Sequence, residues 1–494
     1  MELPIIERFV VEPTQGELAR IETMAERLRQ RPELASDSSL TPLLALDWPA
    51  APELQIDDQS DIPTGLPGYD PSYLQDRARL RAVDGDVIVC NSPPAEEYEA
   101  YCRDYLGLGS ARWLWPQSSA YRRHLASHSW KHRKVRRDLI RAIRSDGLRT
   151  IHPLMGSQEV WQLASLLHRA TRIPIRILAP PPELARWVNN KTEFASTVTE
   201  LFGESSLPLT RHATSLALVS RHVRDIAEHH AKVGLKLPDA AGGSGNLVMT
   251  ASEFRGESLD NVAKRLKKLL RTIGWRSGDR LLVSAWESEI LSSPSVQVWI
   301  PAGAGAPIVE GIFEQDISSS YEFVGTRPAE LPEALNELVA RQCWLLASLY
   351  QKLGYVGRCS FDLVLVGRTI EDCRAELIEC NGRWGGTSLP MTLMHRLFGS
   401  RTPNYVVRTI AVDGLARLRF PDLLQCFETD LYDVRTGRGH LVIFGPARIQ
   451  ARSALSYIVH GETNETVQQT ANRVVKRLRE SLRWRGAWKK PGIP

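Results

Sequence analysis

Cysteine is scarce in this chain and badly placed for its structural uses. The seven in 494 residues (Cys90, Cys102, Cys343, Cys359, Cys373, Cys380, Cys426) are odd in number, scattered, and never spaced as CxxC. That argues against a disulfide framework and against a zinc knuckle. No run approaches the ~18 apolar residues of a membrane span, so no membrane partner is expected. No repeat of fixed period is visible. Charge of one sign is also lacking: 62 Lys+Arg against 57 Asp+Glu leave only +5, too balanced to make nucleic acid an expected partner. The opening MELPIIERFVVEPTQGE carries acids at positions 2 and 7 around a short apolar stretch, so no secretory leader is expected. A reduced, cytoplasmic, multidomain protein follows, with a length prior of about three domains.

What is present reads as alternating helices and strands. Thr14 and Glu17 form a capping-box pattern ahead of a helix with Leu18, Ile21, Ala25 and Leu28 on one face. Residues 35–72, crowded with Ser, Asp, Pro and Gly, read as a long irregular connection. Asp86–Asn91 is strand-like and Glu96–Leu106 helical, an α/β unit. Residues 121–145 hold nine Lys/Arg and one acid, Asp138, and read as a helix with a solvated basic face or an anion-binding patch. Strands are expected at 281–286, 296–300, 308–313, 361–366, 375–380, 417–420 and 440–444, with helices at 332–353 and 465–482.

Two stretches carry chemistry. In the first, Val233–Pro238 presents Lys236 on a strand, the loop Asp239–Asn246 contains Gly242-Gly243-Ser244-Gly245, and a second strand returns. A side-chain-poor loop lets backbone N–H groups approach phosphate oxygens, with the lysine as a point charge beside them. It is neither GxxxxGK[ST] nor GxGxxG, since no helix opens after the glycines. In the second, period 2 places Glu379 and Asn381 on one face of a strand, Arg383 follows, and Asp362 comes from a neighbouring strand. Two carboxylates and an amide oxygen are hard ligands that suit Mg²⁺ and not zinc. Arg383 is the right group to neutralise a transferring phosphoryl.

The order of these features resembles the ATP-grasp ligases. Asn190–Ala195 is similar to that family's first lysine motif, through Lys191. Lys236 with Gly242–Gly245 is similar to the second, and Leu282–Glu287 to the adenine hinge, with Ser284, Ala285, Trp286 and Glu287 around the base. Ser293–Ile300, Gly311–Gln315, Gly354–Gly357 and Asn381–Arg383 resemble the peptide ligases of the pheganomycin-synthesis type.

The resemblance implies a mixed α/β and α+β multidomain chain: an N-terminal helix and irregular connection (1–80), a pre-ATP-grasp α/β domain (81–184), an ATP-grasp domain of two α+β subdomains clasping ATP (185–400), and a small α+β C-terminal domain (401–494). It implies ATP and Mg²⁺, two ions with Mn²⁺ able to substitute, held by Asp362, Glu379 and Asn381. Lys191 and Lys236 would hold phosphates, Lys236 and Arg383 would be catalytic, and the glycine loop would close as a lid. The reaction implied is carboxylate–amine ligation through an acyl phosphate. The substrates would be a small carboxylic acid and an amine or peptide, and an oligomer is compatible with it. A small-molecule kinase and a non-catalytic nucleotide-binding module are the alternatives. Two positions depart from the family's usual pattern. Ser360 stands two residues before Asp362 where many members carry arginine, which directs attention to Arg358. Ser295 stands where an acid often contacts ribose, which leaves Glu287 and Glu289 as candidates.

Overall fold

The computed structural model describes residues 4–35, 42–44, 52–62, 71–116, 123–240, 245–318 and 322–487. Three sheets organise them. The first is wholly parallel, built from β1 (Glu53–Ile56), β2 (Val87–Val89), β3 (Arg112–Leu114), β4 (Thr150–Pro153) and β5 (Arg176–Ile177) in the order β3-β2-β1-β4-β5. Parallel neighbours need crossovers, and helices Tyr98–Asp104, Leu125–Lys131, Arg133–Ser145 and Gln158–Thr171 lie between its later strands.

Its central strand, β1, falls inside the stretch expected to be an irregular connection. That expectation fails because the strand is only four residues long: Leu54 and Ile56 enter the apolar core, while Glu53 and Gln55, alternating with them, enter a buried polar web. Gln55 donates to Glu53 (2.9 Å) and to Asp86 (3.0 Å), and Arg81 donates to Gln55 (2.7 Å) and pairs with Asp57. All four residues of β1 are buried. Partners far along the chain offset the desolvation of these buried polar groups, and composition rules do not detect such a network.

The second sheet is antiparallel: β6 (Thr210–Ala213), β7 (Lys232–Lys236), β8 (Asn246–Thr250) and β9 (Leu281–Ala285), in the order β6-β9-β7-β8. Helices Leu216–His229 and Leu259–Thr272 pack against each other, and their apolar stripes (Val219, Val223, Ile226; Val262, Leu266, Leu270) share a core with Val233, Leu235 and Val283.

The third sheet has nine strands: β10 (Ile290–Ser292), β11 (Pro294–Ile300), β12 (Ile308–Ile317), β13 (Phe323–Pro328), β14 (Gly357–Val366), β15 (Arg374–Asn381), β16 (Asn404–Ala411), β17 (Leu441–Phe444) and β18 (Ala454–Gly461). β14 lies between β11 and β15, and β16–β18 extend the same sheet beyond β13. Helix Glu333–Lys352 packs on β11 and β12. The helix Gln15–Arg29 packs on it in turn, its capping box formed between Thr14 and Glu17 as the sequence suggests. Ile21, Ala25 and Leu28 are buried there, whereas Leu18 faces solvent. The strand expected at 417–420 is instead a 3₁₀ turn, Leu415–Arg417, leading into helix Phe420–Cys426 with Pro421 in its first turn. A proline at the first helical turn is pre-set for helix and cannot donate to a ladder. No helix among the described residues is long and apolar enough to cross a membrane.

Candidate active site

Lys191 stands at the first position of helix Lys191–Phe202 because Asn190 caps it, accepting from the N–H groups of Thr192 (3.0 Å) and Glu193 (3.1 Å). The lysine is buried, its Nζ 2.9 Å from Glu379 Oε2 and donating to the Ala240 carbonyl. Its backbone N–H bonds Pro238 O (2.9 Å), and Asn190 Nδ2 bonds Asp239 Oδ1 (2.7 Å). The segment leaving β7 is thereby docked on the first lysine motif. Gly242, Gly243 and Ser244 lie outside the described residues. Gly245 closes the loop with its carbonyl accepting from Leu237 N–H (3.0 Å), so tightly that an added Cβ would meet Ala240 Cβ at 2.1 Å.

Lys236 ends β7 and is also buried, its Nζ over the Trp286 ring, 5.4 Å from the centroid. Burial pulls its ammonium down to about 8, Lys191 adds to the effect and Glu379 opposes it. Gly234 is required beneath the same indole, since a Cβ there would lie 2.7 Å from Trp286 Cε3. At the hinge, Ser284 Oγ shares a hydrogen bond with Thr210 Oγ1 (3.0 Å). Ala285 N–H donates to Leu209 O (2.8 Å), Trp286 N–H donates to Lys232 O (3.1 Å), and Glu287 pairs with Arg374 (3.3 Å).

On the large sheet Asp362 of β14 is directly opposite Glu379 of β15, and Ser360 opposite Asn381. Both Asp362 oxygens are held: Oδ1 accepts from Ser295 Oγ (2.6 Å) and Gln315 Nε2 (2.9 Å), and Oδ2 from Asn381 Nδ2 (2.9 Å). Burial first, and the Glu379 charge second, push the Asp362 carboxyl up to about 7. Burial would raise Glu379 too, but Lys191, with Arg383 and Lys236 behind it, holds it below the ordinary carboxylate range. Among the described residues no three His, Cys, Asp or Glu gather as a metal cluster. An all-oxygen set of two facing carboxylates and the Asn381 amide nevertheless fits a hard divalent cation, whose charge would relieve the repulsion that raises Asp362.

Arg383 is anchored by a residue that the sequence reading missed. Its Nη1 donates to Asn189 Oδ1 (2.6 Å), and Gly382 N–H donates to the same oxygen (3.1 Å). A Cβ at Gly382 would lie 2.5 Å from Val188 Cγ2. The residue signalled itself only as the first of the Asn189-Asn190 pair ahead of Lys191. Ser295 and Gln297 were legible in principle, as polar positions at period 2 in an otherwise apolar strand, with Gln297 Nε2 bonding Ser295 Oγ at 2.9 Å.

Arg358 lies on the same strand face as Asp362, four residues or about 13 Å away at the usual strand rise. It pairs with buried Glu310 and is sandwiched by Trp384 (4.8 Å) and Trp299 (5.3 Å). Burial pulls its guanidinium down to about 9. Trp384, next to Arg383, ties this region to the parallel sheet. Its Nε1–H donates to His152 Nε2 (3.1 Å), and the other ring nitrogen of His152 is 2.9 Å from Glu53 Oε2.

Two lysines, a buried carboxylate pair with an amide beside it, and an arginine thus converge where the four-stranded sheet faces the nine-stranded one. A family model described as the pre-ATP-grasp domain matches residues 75–168, across most of the parallel sheet. N5-carboxyaminoimidazole synthetase from Staphylococcus aureus, solved with ADP, superposes with TM-score 0.51 at 11% identity, covering 88% of this chain and 99% of that one. The fold is the ATP-grasp fold. An ADP complex of the purK N5-carboxyaminoimidazole ribonucleotide synthetase gives TM-score 0.50 at 11% identity, over 87% of this chain and 97% of that one. No curated protein matches the sequence.

Proposed function

We propose that this ATP-grasp chain is an ATP-dependent carboxylate–amine ligase, forming an amide through an acyl phosphate, with 185–400 as its catalytic unit between flanking units at 81–184 and 401–494. The observation that carries this reading is the convergence of Lys191, Lys236 and Arg383 on the Asp362–Glu379–Asn381 set. The substrate carboxylate attacks the γ-phosphorus of ATP, the β–γ bridging bond breaks, and ADP leaves. An amine then attacks the acyl carbon, loses a proton, and expels phosphate.

Such transfer asks the protein for positioning and charge stabilisation more than for covalent participation. Lys191 and Lys236 supply fixed cations at the phosphates, and Arg383 stabilises the transferring group from a position set by Asn189. Asp362, Glu379 and Asn381 would hold Mg²⁺, which when bound neutralises phosphate charge. Glu379 Oε2 lies 2.9 Å from Lys191 Nζ, and phosphate oxygens would take its place on the lysine. Hinge residues 284–287 would flank the adenine, with Trp286 beside Lys236. The Gly242–Gly245 loop would exclude water by closing over the triphosphate. The motifs shared with pheganomycin-type enzymes favour an amino-acid or peptide product.

Hydroxylamine with ATP, Mg²⁺ and pooled carboxylic acids tests this directly. ATP-dependent hydroxamate that disappears in Glu379→Ala supports an acyl phosphate and identifies the acid by mass. A stable phosphorylated acid with no hydroxamate would establish a kinase instead.

A further inference from the structure

Helices Leu125–Lys131 and Arg133–Ser145 meet at His132, whose extended backbone (φ −77°, ψ 110°) turns the corner between them. Beside the corner lies an open depression of about 710 Å³ lined by His128, Lys131, His132, Arg133, Lys134 and Arg137. All six are basic, and none belongs to the site described above. In a chain whose Lys+Arg and Asp+Glu nearly balance, composition does not account for this gathering. Packing does not account for it either. Val135, Leu139, Ala142 and Ile143 bury the inner face of the second helix against the parallel sheet, and the outer face need only be polar.

The arrangement costs stability as it stands. Arg133 and Arg137 are four residues apart and Lys134 and Arg137 three, spacings at which like charges repel. The first turn of the second helix carries cations and no acid, against the helix dipole, whereas helices Gln15–Arg29, Gln158–Thr171 and Lys191–Phe202 each have a glutamate there. Burial, with His132 and Lys131 adjoining, holds the His128 imidazole below its ordinary range. The one acid in the run, Asp138, is 3.7 Å from Arg137. His132 Nδ1 accepts from Val135 N–H (3.3 Å), which puts its ring proton on Nε2 as a donor.

We infer that this depression is a binding site for a small polyanion, a molecule bearing two or more phosphate or carboxylate groups. Its volume and the four cations Lys131, Arg133, Lys134 and Arg137 suit several anionic groups rather than one. Single-stranded nucleic acid fits less well. The two flanking indoles, Trp115 and Trp130, are already covered by Lys134 (5.8 Å) and Arg136 (5.4 Å), so they offer fewer faces for base stacking.

The experiment is calorimetric titration of the full chain with inorganic tripolyphosphate and, separately, with citrate. Three proteins are compared: wild type, Lys131→Ala/Arg133→Ala/Arg137→Ala, and Lys236→Ala. One saturable event should weaken at least about tenfold in the triple variant, persist in Lys236→Ala, and weaken with added salt. The tighter of the two probes names the anionic group. The triple variant should melt no lower than wild type, since it sheds like-charge repulsion, and should keep the wild-type ATP turnover. The inference is overturned by equal binding in wild type and triple variant, by the loss of all binding in Lys236→Ala alone, or by an oligonucleotide that binds at this site at least about tenfold tighter than tripolyphosphate at matched salt.

Discussion

Asn189→Ala should disable Arg383 without touching it. Asn189 Oδ1 accepts from the guanidinium at 2.6 Å and from Gly382 N–H at 3.1 Å, so one oxygen sets both the arginine and the turn that carries it. A hydrogen bond to a charged group contributes about 1.5–3 kcal/mol, and at 1.4 kcal/mol per decade its loss corresponds to roughly 10- to 150-fold. On the proposed role of Arg383, stabilising charge that develops during transfer, the loss should fall on kcat, with KM for ATP changed by less than about threefold. Asn189→Asp keeps the accepting oxygens and should retain most of the activity. A coupled ADP-release assay reads kcat and KM, and thermal melts report whether the variant is folded. A folded Asn189→Ala enzyme within about twofold of wild-type kcat would refute the anchoring role.

Lys236→Ala and Glu379→Ala should each lower ligation at least about 10²-fold, the usual scale for one preorganised electrostatic group, and near-wild-type turnover in both would remove them from the site. His460 is buried against Tyr432 and Phe398, and burial, with His440 adding to it, pulls its imidazole from 6.5 down to about 4. The unfolded chain takes up this proton near pH 6.5 and the folded chain only near pH 4, so stability is lost as pH falls through that window, on the order of 3 kcal/mol for this group. The melting temperature of His460→Phe should therefore fall less between pH 6.5 and 4.5 than that of wild type; equal slopes would contradict it. Trp384→Phe removes the indole donor to buried His152 Nε2, and urea unfolding should show a loss of about 1–3 kcal/mol that couples non-additively to a second change at His152. Full additivity would mean that the 3.1 Å contact contributes nothing.

How far the sequence could be read depended on whether a feature was local. The Thr14–Glu17 capping box is contained in four residues and appears as expected. The shared face of Glu379 and Asn381 follows from period 2 alone, and the helices at 332–353 and 465–482 from their apolar stripes. Features that depend on register were out of reach. Nothing local says that Ser295 and Gln315 both meet Asp362, or that Asn189 would reach Arg383 across 194 positions. β1 was hidden because it is four residues long and half of its buried side chains are Glu and Gln, whose partners Arg81 and Asp86 lie far along the chain. β16 and β18 went unread although they pair over eight residues each. Arg358 stood out by its position before Asp362, but its buried pairing with Glu310 is set by the β12 bulge that brings Glu310 beside it.

Oxygen tracing tests the central claim most directly. With the acid found by hydroxamate trapping labelled with ¹⁸O in its carboxylate, the enzyme is run with ATP, Mg²⁺ and the amine, and the released phosphate is examined by mass. Activation as an acyl phosphate leaves one carboxylate oxygen on phosphate for every amide formed, so singly labelled phosphate should accumulate in step with product. Unlabelled phosphate alongside amide would mean that the carboxylate never bonded to phosphorus, and the mechanism assigned to Lys191, Lys236, Arg383 and the Asp362–Glu379–Asn381 set would be wrong.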